Sequence, residues 1–298
     1  FKDPNLIELF KYCSSTFYFI LKKIIRKIFL KKYIWSVGFS KKRISEKKFK
    51  NLNIFKNFNN RFIADPFLIK YDRKSYIFAE DYCFKNKMGS ISCFLLEKNT
   101  EKFLGKVLQE KFHLSFPFLF EFNKKIYMCP ETSAINEIRV YECLEFPLKW
   151  KYKKTLIKNI YAVDTLLFKK NSIWWLLTNT DKNNIDYSSE LSIYYSTEGP
   201  LTKNWKPHKK NPLIVDSNKA RNGGLIIDNS KICRVNQKIG YNFYGKSISV
   251  NLIKKISKDD FVEERVNTIN PNFNNKILGV HHLSYDGDYS AVDLLRSS

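Results

Sequence analysis

Two aspartates and two glutamates recur at matching places in this chain. Asp65 opens a stretch that closes on Glu80, and a second stretch with the same spacing runs from Phe116 to Glu131. A third runs from Asp164 to Asn179, a fourth from Asn222 to Gln237, and a fifth, shortened, from His281 to about Asp293. Polar side chains therefore stand in register where strands would ordinarily carry hydrophobes. Carboxylates gathered round one axis repel and shift one another's pKa values, which prepares them for acid and base work. Asp65 and Asp164, at strand starts, are the candidate catalytic carboxylates. Glu131 and Glu80 are further candidate carboxylates of the same set. Glu80 and Glu131 equally suit hydrogen bonds holding neighbouring repeats together, and both readings stand at this level.

Other residues could orient a substrate. Arg61, Arg221 and Arg234 offer fixed positive charge for a carboxylate or phosphate. Gln237 closes the fourth repeat, and His113 and the pair His281 and His282 precede repeat strands. Tyr241, Trp174 and Trp175 could stack on sugar rings, although aromatics at strand positions more often fill cores. The histidines lack metal-ligand spacing, so no metal is expected. No P-loop, dinucleotide fingerprint, nucleophile elbow or zincin motif is present. The six cysteines form no C-x-x-C pair, which fits reduced, buried thiols.

The elements that must position these groups are hairpins. Asp65-Pro-Phe-Leu-Ile-Lys-Tyr-Asp-Arg-Lys-Ser-Tyr-Ile-Phe-Ala-Glu80 reads as strand, polar turn and strand, and its copies read alike. Copies start at 65, 116, 164, 222 and about 281, a period near 50 residues that accommodates a four-stranded blade. Ile91–Leu96, Ile138–Tyr141, Leu191–Tyr195 and Ser247–Leu252 supply further strands. The fold class is all-β, a five-bladed β-propeller over residues 35–298. A sandwich of tandem hairpins, the alternative, would not require regular spacing.

Residues 5–34 differ. Leu6, Leu9, Phe10, Cys13, Phe17, Ile20, Leu21, Ile24 and Ile28 recur at helical spacing, with Lys22, Lys23, Arg26, Lys27, Lys31 and Lys32 among them. A basic amphipathic N-terminal helix is expected, either on an anionic leaflet or as a connector packed on another domain or copy. Its longest uncharged stretch, Tyr12 to Leu21, is far short of the roughly 20 residues that span a bilayer. The formal net charge of +23 accompanies an abundance of Lys, Asn, Ile and Phe that AT-rich coding would produce, so nucleic acid is not the expected partner. A cytoplasmic place, peripheral to the inner membrane face, follows from these readings. Because the chain begins at Phe1, an upstream domain is expected.

Trp35-Ser-Val-Gly38, Arg61-Phe-Ile-Ala-Asp-Pro-Phe-Leu68, His113-Leu-Ser-Phe-Pro-Phe-Leu-Phe-Glu121, Tyr127-Met-Cys-Pro-Glu131, Trp174-Trp175, Ala220-Arg221 and Arg234-x-x-Gln237 resemble the N-terminal domain of glucosamine inositolphosphorylceramide transferases. Similar bacterial domains often adjoin a formyltransferase-like domain. The resemblance covers roughly residues 35 to 295 and adds Glu121 to the candidate substrate-binding set. It also implies that glucosaminyl transfer in the plant proteins belongs to a separate C-terminal domain. More distantly, Ala64-Asp65-Pro66 and Val163-Asp164 resemble the first- and third-blade aspartates of family 43 glycoside hydrolases, the first a general base. That family's acid is a fourth-blade Glu. Here the fourth blade reads Lys219-Ala-Arg-Asn-Gly-Gly224, with Arg221 where the acid would stand. A cation there suits a nucleotide-sugar or other activated sugar donor whose leaving group needs no proton.

The leading expectation is a carbohydrate-active propeller of cell-surface glycan or glycolipid assembly, a sugar transferase with a glycan or glycolipid acceptor and no bound cofactor. A non-catalytic glycan-binding module and a family-43-like hydrolase are its rivals.

Overall fold

The structure, a computed structural model, describes residues 3–28, 33–41, 52–181, 187–228, 231–240, 243–271 and 277–297. The helix spans Leu6–Ile28. A reciprocal cap starts it: the Glu8 amide donates to Asn5 Oδ1 and the Asn5 amide to Glu8 Oε2, both at 2.9 Å. The expected helical range overshoots, because Tyr33–Lys41 is a strand, its alternating Ile34, Ser36 and Gly38 suiting an extended chain. No described helix is long and apolar enough to cross a membrane. Trp35–Arg296 forms a separate compact unit.

That unit is the five-bladed propeller. Its innermost strands are Arg61–Tyr71, Ser115–Phe122, Ala162–Lys170, Asn222–Asp228 and Leu283–Tyr285, in blades one to five. Each packs beside the next, and the fifth returns to the first. Each of the first four begins a sheet that runs outward in chain order. Blade five is assembled from both ends of the chain: Leu283–Tyr285 pairs with Tyr289–Ser297, which pairs with Tyr33–Lys41 and so with Asn53–Ile54. The N-terminal strand thus closes the ring, joining residues far apart in sequence.

Polar turns let each hairpin reverse. Asp72 and Arg73, Asn123 and Lys124, and Asn171 and Ser172 hold consecutive positive φ values, the conformation of tight two-residue hairpin turns. Between blades lies an aromatic core that includes Phe78, Phe116, Phe168 and Trp175, all nearly fully buried. Each such ring contributes roughly 1.5–3 kcal/mol of burial free energy. Trp174 and Trp175 belong to this core; the Trp175 indole N–H donates to the Lys170 carbonyl. All six cysteines are free. Contrary to the expectation of uniform burial, Cys13 is exposed on the helix, and Cys83, which ends the second strand of blade one, and Cys143, near the end of the third strand of blade two, are half-buried.

The inner strands share a defect that shapes the centre. In blade one Ala64 pairs with Glu80, but the next partners are Phe67 and Phe78, leaving one extra residue at Asp65 and Pro66. Ser115/Phe118, Val163/Leu166 and Asn222/Gly224 bracket the same bulge in blades two to four. The bulged Asp65, Phe116 and Asp164 take φ values of 49, 45 and 51°. A bulge breaks the period-two alternation and re-aims its side chain. In blade four, glycines do the corresponding work: a Cβ on Gly223 would lie 2.4 Å from the His281 carbonyl oxygen, and one on Gly224 2.2 Å from that of Leu283. Only glycine lets blades four and five approach so closely.

Candidate functional site

A cavity of about 230 Å³ opens at the end of the inner strands where these bulges lie. Asp65, Glu80, Glu131 and Asp164 bring four carboxyl groups to its wall, with Arg221, His113 and His281. Asp65 and Asp164 arrive from bulges in blades one and three, and Glu80 and Glu131 from the adjoining second strands. Trp35, Phe62, Ala64 and Ser115 complete it. Below it Phe67, Phe116 and His282 meet edge to face, with ring centroids 4.4–5.3 Å apart, and fill the axis.

The closing column divides between two jobs. Asp293 Oδ2 accepts from the Asp65 amide at 3.1 Å, and Asn179 Oδ1 from the Asn222 amide at 2.8 Å. Each is the same bond, from a bulge N–H to the closing residue of the preceding blade, and it latches blade five to one and blade three to four. No equivalent bond joins Glu80 to Phe116 or Glu131 to Asp164 among the described residues. Those two acids face the cavity instead. Glu80 Oε1 lies 3.4 Å from His113 Nε2, and Glu131 Oε1 accepts from the Ser133 hydroxyl at 2.8 Å. The Gly89 amide donates to His113 Nδ1 at 2.9 Å, which sets the neutral ring's proton on Nε2, toward Glu80. A Cβ on Gly89 would come within 2.3 Å of the Leu114 carbonyl oxygen, so this contact requires glycine.

Electrostatics separate the carboxyl groups. Burial pushes Asp65 up to about 7; nearby Asp293 and Asp164 add to the rise, while His281 and Arg221 oppose it. Burial and the Asp164 charge raise Glu131 to about 8 against the pull of Arg221. Glu80 also stands well above the ordinary carboxyl range, chiefly through burial and then through Asp65 and Glu131. Two ion pairs balance the remainder. Arg221 Nε donates to Asp164 Oδ2 at 2.7 Å, and His281 Nδ1 pairs with Asp293. Burial opposes the imidazolium, but Asp293 outweighs it and raises the His281 pKa, while the imidazolium and its hydrogen bonds hold Asp293 low. His281 Nε2 lies 3.8 Å from Asp65 Oδ1, and its ring stacks on Trp35 at 4.0 Å.

Asp65, His281 and Asp293 each bring a ligand-type atom within 4.8 Å of the others. The proton shared by His281 and Asp293 would have to leave before a cation could enter.

Several expected substrate contacts lie elsewhere. Arg61 is paired in fork geometry to the buried Asp81. Arg234 is fully buried, with two bonds to Glu263 and others to the Lys219 and Ala220 carbonyls, so it braces blade four and does not line the central cavity. Glu121 is exposed near the far end of its strand, opposite Ile126. Gln237 lies behind the wall, donating to the Asn222 carbonyl at 2.7 Å and toward Asp164 Oδ2 at 3.3 Å. His282 is buried on the axis, its Nδ1 3.9 Å from Asp65 Oδ1, and burial drives its pKa down to about 3. Tyr241 lies outside the described residues. Reading the sequence for chemistry passes over Trp35, Gly89 and Asp293 as parts of the site. Only the place of Asp293 in the closing column pointed toward it.

Residues 44–280 match the family model described as glucosamine inositolphosphorylceramide transferase 1, N-terminal. The chain is 37% identical over 213 residues to glucosamine inositolphosphorylceramide transferase 1 of Arabidopsis thaliana and 34% identical over 214 residues to that of Oryza sativa subsp. japonica. These alignments take in 70% of this chain but 27% and 28% of the plant proteins, so it spans little more than a quarter of their length. Among solved structures, the catalytic domain of a Coprinopsis cinerea family 62 α-L-arabinofuranosidase superposes with a TM-score of 0.58 over 90% of this chain and 98% of its own, at 11% identity. A family 117 glycoside hydrolase of Zobellia galactanivorans gives 0.57 over 88% and 90%, at 13% identity. A thermostable family 43 glycoside hydrolase gives 0.54 over 78% and 89%, at 15% identity. These likenesses establish the propeller fold. By the match over most of its propeller, the chain belongs to the family of glucosamine inositolphosphorylceramide transferase N-terminal domains.

Proposed function

We propose that this propeller is a carbohydrate-active domain of cell-surface glycan or glycolipid assembly, and that its central cavity moves a sugar from an activated donor to an acceptor hydroxyl. The observation that carries this reading is the convergence of Asp65, Glu131, Asp164 and Arg221 on one cavity, where burial raises the Asp65 and Glu131 carboxyls toward neutrality. Groups poised near neutrality suit proton transfer in both directions. Ionised Asp65 takes the acceptor hydroxyl's proton as that oxygen bonds the anomeric carbon. The bond from the anomeric carbon to the leaving phosphate oxygen breaks, and the phosphate departs with the electron pair as an anion that needs no proton. Arg221 stands at the same wall for a donor phosphate, with Asp164 fixing its guanidinium.

The relatives' name directs the first screen toward a glucosamine-bearing donor and an inositol-phosphate lipid acceptor. A second reading, hydrolysis, rests on the acid-like Glu131, with water replacing the acceptor. A screen of activated sugars with and without acceptor, read by mass spectrometry, separates the two. Transfer product that disappears in Asp65→Asn supports the proposal. Free sugar irrespective of acceptor favours hydrolysis, and binding without turnover makes the domain a glycan-binding module.

A further inference from the structure

At about 230 Å³ the central cavity is smaller than the roughly 300–1,000 Å³ of pockets that enclose a drug-sized ligand, so a longer ligand continues past its mouth. The wall of blade one shows where. Strand Lys74–Cys83 carries Glu80 and Tyr82 on one face by its period-two alternation, and Phe84 prolongs that face, its amide donating to the Asn60 carbonyl at 2.9 Å. On the neighbouring strand Phe62, itself a wall residue of the cavity and three residues before Asp65, stands opposite Tyr82. The acidic wall of the cavity therefore turns aromatic on its way outward.

Phe62 and Tyr82 stack with centroids 4.8 Å apart and planes 17° apart, and Phe84 packs edge to face with both, at 5.7 and 5.6 Å. His113, which meets Glu80 at 3.4 Å, lies beside the Tyr82 ring with centroids 6.0 Å apart. Cross-strand stacking accounts for Phe62 and Tyr82 as supports of the hairpin. It does not account for Phe84, which lies one residue past the strand and leaves 48% of its surface exposed. A sugar can lay its C–H face on such a ring while its hydroxyls stay in water. The residues that follow, Lys85, Asn86 and Lys87, are exposed, so the aromatic face gives way at once to a polar turn, which suits a sugar ring and not an acyl chain.

We infer that Phe62, Tyr82 and Phe84 form the acceptor subsite of this propeller, a platform for an acceptor sugar or cyclitol ring whose hydroxyl reaches Asp65. The inference rests on the central cavity being a sugar-transfer site, and its test keeps the two apart. In that reading Arg221 meets the donor phosphate at the entry of blade four, while the base, Asp65, shares its strand with Phe62, which puts the acceptor on the side of blade one. Calorimetric titration would compare glucosamine and glucosamine 1-phosphate with glucosamine joined to a second glucosamine or to inositol, each joined probe standing for donor unit plus acceptor ring. At least one joined probe is expected to bind about two- to tenfold more tightly than glucosamine. Phe84→Ala should abolish that gain and leave glucosamine binding unchanged, which also shows that the variant is folded. Phe84→Trp should keep the gain, whereas Phe84→Leu, apolar but without a ring, should lose most of it. Asp65→Asn should alter glucosamine binding and keep the gain. No gain for either joined probe, a gain that survives Phe84→Ala, or a gain as large in Phe84→Leu as in the parent would overturn the subsite. If Asp65→Asn changes nothing while Phe84→Ala still abolishes the gain, the central site fails and the acceptor role built on it is overturned.

Discussion

Asp65→Asn tests the electrostatic argument without removing the residue's shape. Asn tolerates the φ of 49° at this bulge, and the backbone N–H that Asp293 accepts is untouched. A carboxyl raised from 3.8 to about 7 binds its proton in the folded state over a range where the unfolded chain has lost it. Its contribution to stability is therefore fully present below about pH 4 and is lost as pH rises through 7. At about 1.36 kcal/mol per pH unit the whole interval is on the order of 4 kcal/mol, of which about 3 kcal/mol falls between pH 5 and 8.5. The neutral amide does not carry this dependence. Relative to the parent, Asp65→Asn should gain about 3 kcal/mol on going from pH 5 to 8.5, or on the order of 8 °C in melting midpoint. Turnover, if the cavity is catalytic, should fall by ~10²–10⁴-fold. The assay is thermal melting of both proteins at the two pH values, with product formation alongside. A midpoint difference that does not change with pH would refute the claim that this carboxyl is held protonated, and with it the reason for assigning Asp65 as base.

Arg221→Lys keeps a charge near Asp164 but loses the planar fork, so calorimetry should show affinity for a sugar phosphate falling more than affinity for the unphosphorylated sugar; equal losses would deny Arg221 an anion-binding role. Asp293→Ala strips the acceptor from the amides of Asp65, His281 and His282 and strands the buried imidazolium, so urea titration should register a loss of about 3–5 kcal/mol. Asn179→Ala removes an uncharged latch and should cost less, about 1–3 kcal/mol. Removing residues 1–28 should leave the propeller's melting unchanged while abolishing sedimentation with anionic vesicles, whereas removal through Lys41 takes away a strand of blade five and should prevent folding. Equal vesicle binding with and without the helix removes its membrane role.

The blade count and the hairpin of each repeat were legible in the sequence because both are local: polar turns and apolar runs recur within tens of residues, and hairpin pairing follows directly from them. The gathering of Asp65, Asp164 and Arg221 at one end also follows from repeat position, since equivalent entries to inner strands face the same way. Ring closure was not legible, because Tyr33–Lys41 finds its partner strand only after the whole chain has turned about the axis. Nor could one column of Glu, Asn, Gln and Asp reveal which members latch blades and which line a cavity. That division depends on whether the next blade's bulge N–H comes within reach, as it does for Asn179 and Asp293. The arginines make the same point. Arg61, Arg221 and Arg234 are chemically identical in sequence, and only the packed blades decide that Asp81 and Glu263 occupy two of them internally while Asp164 holds the third at the cavity wall.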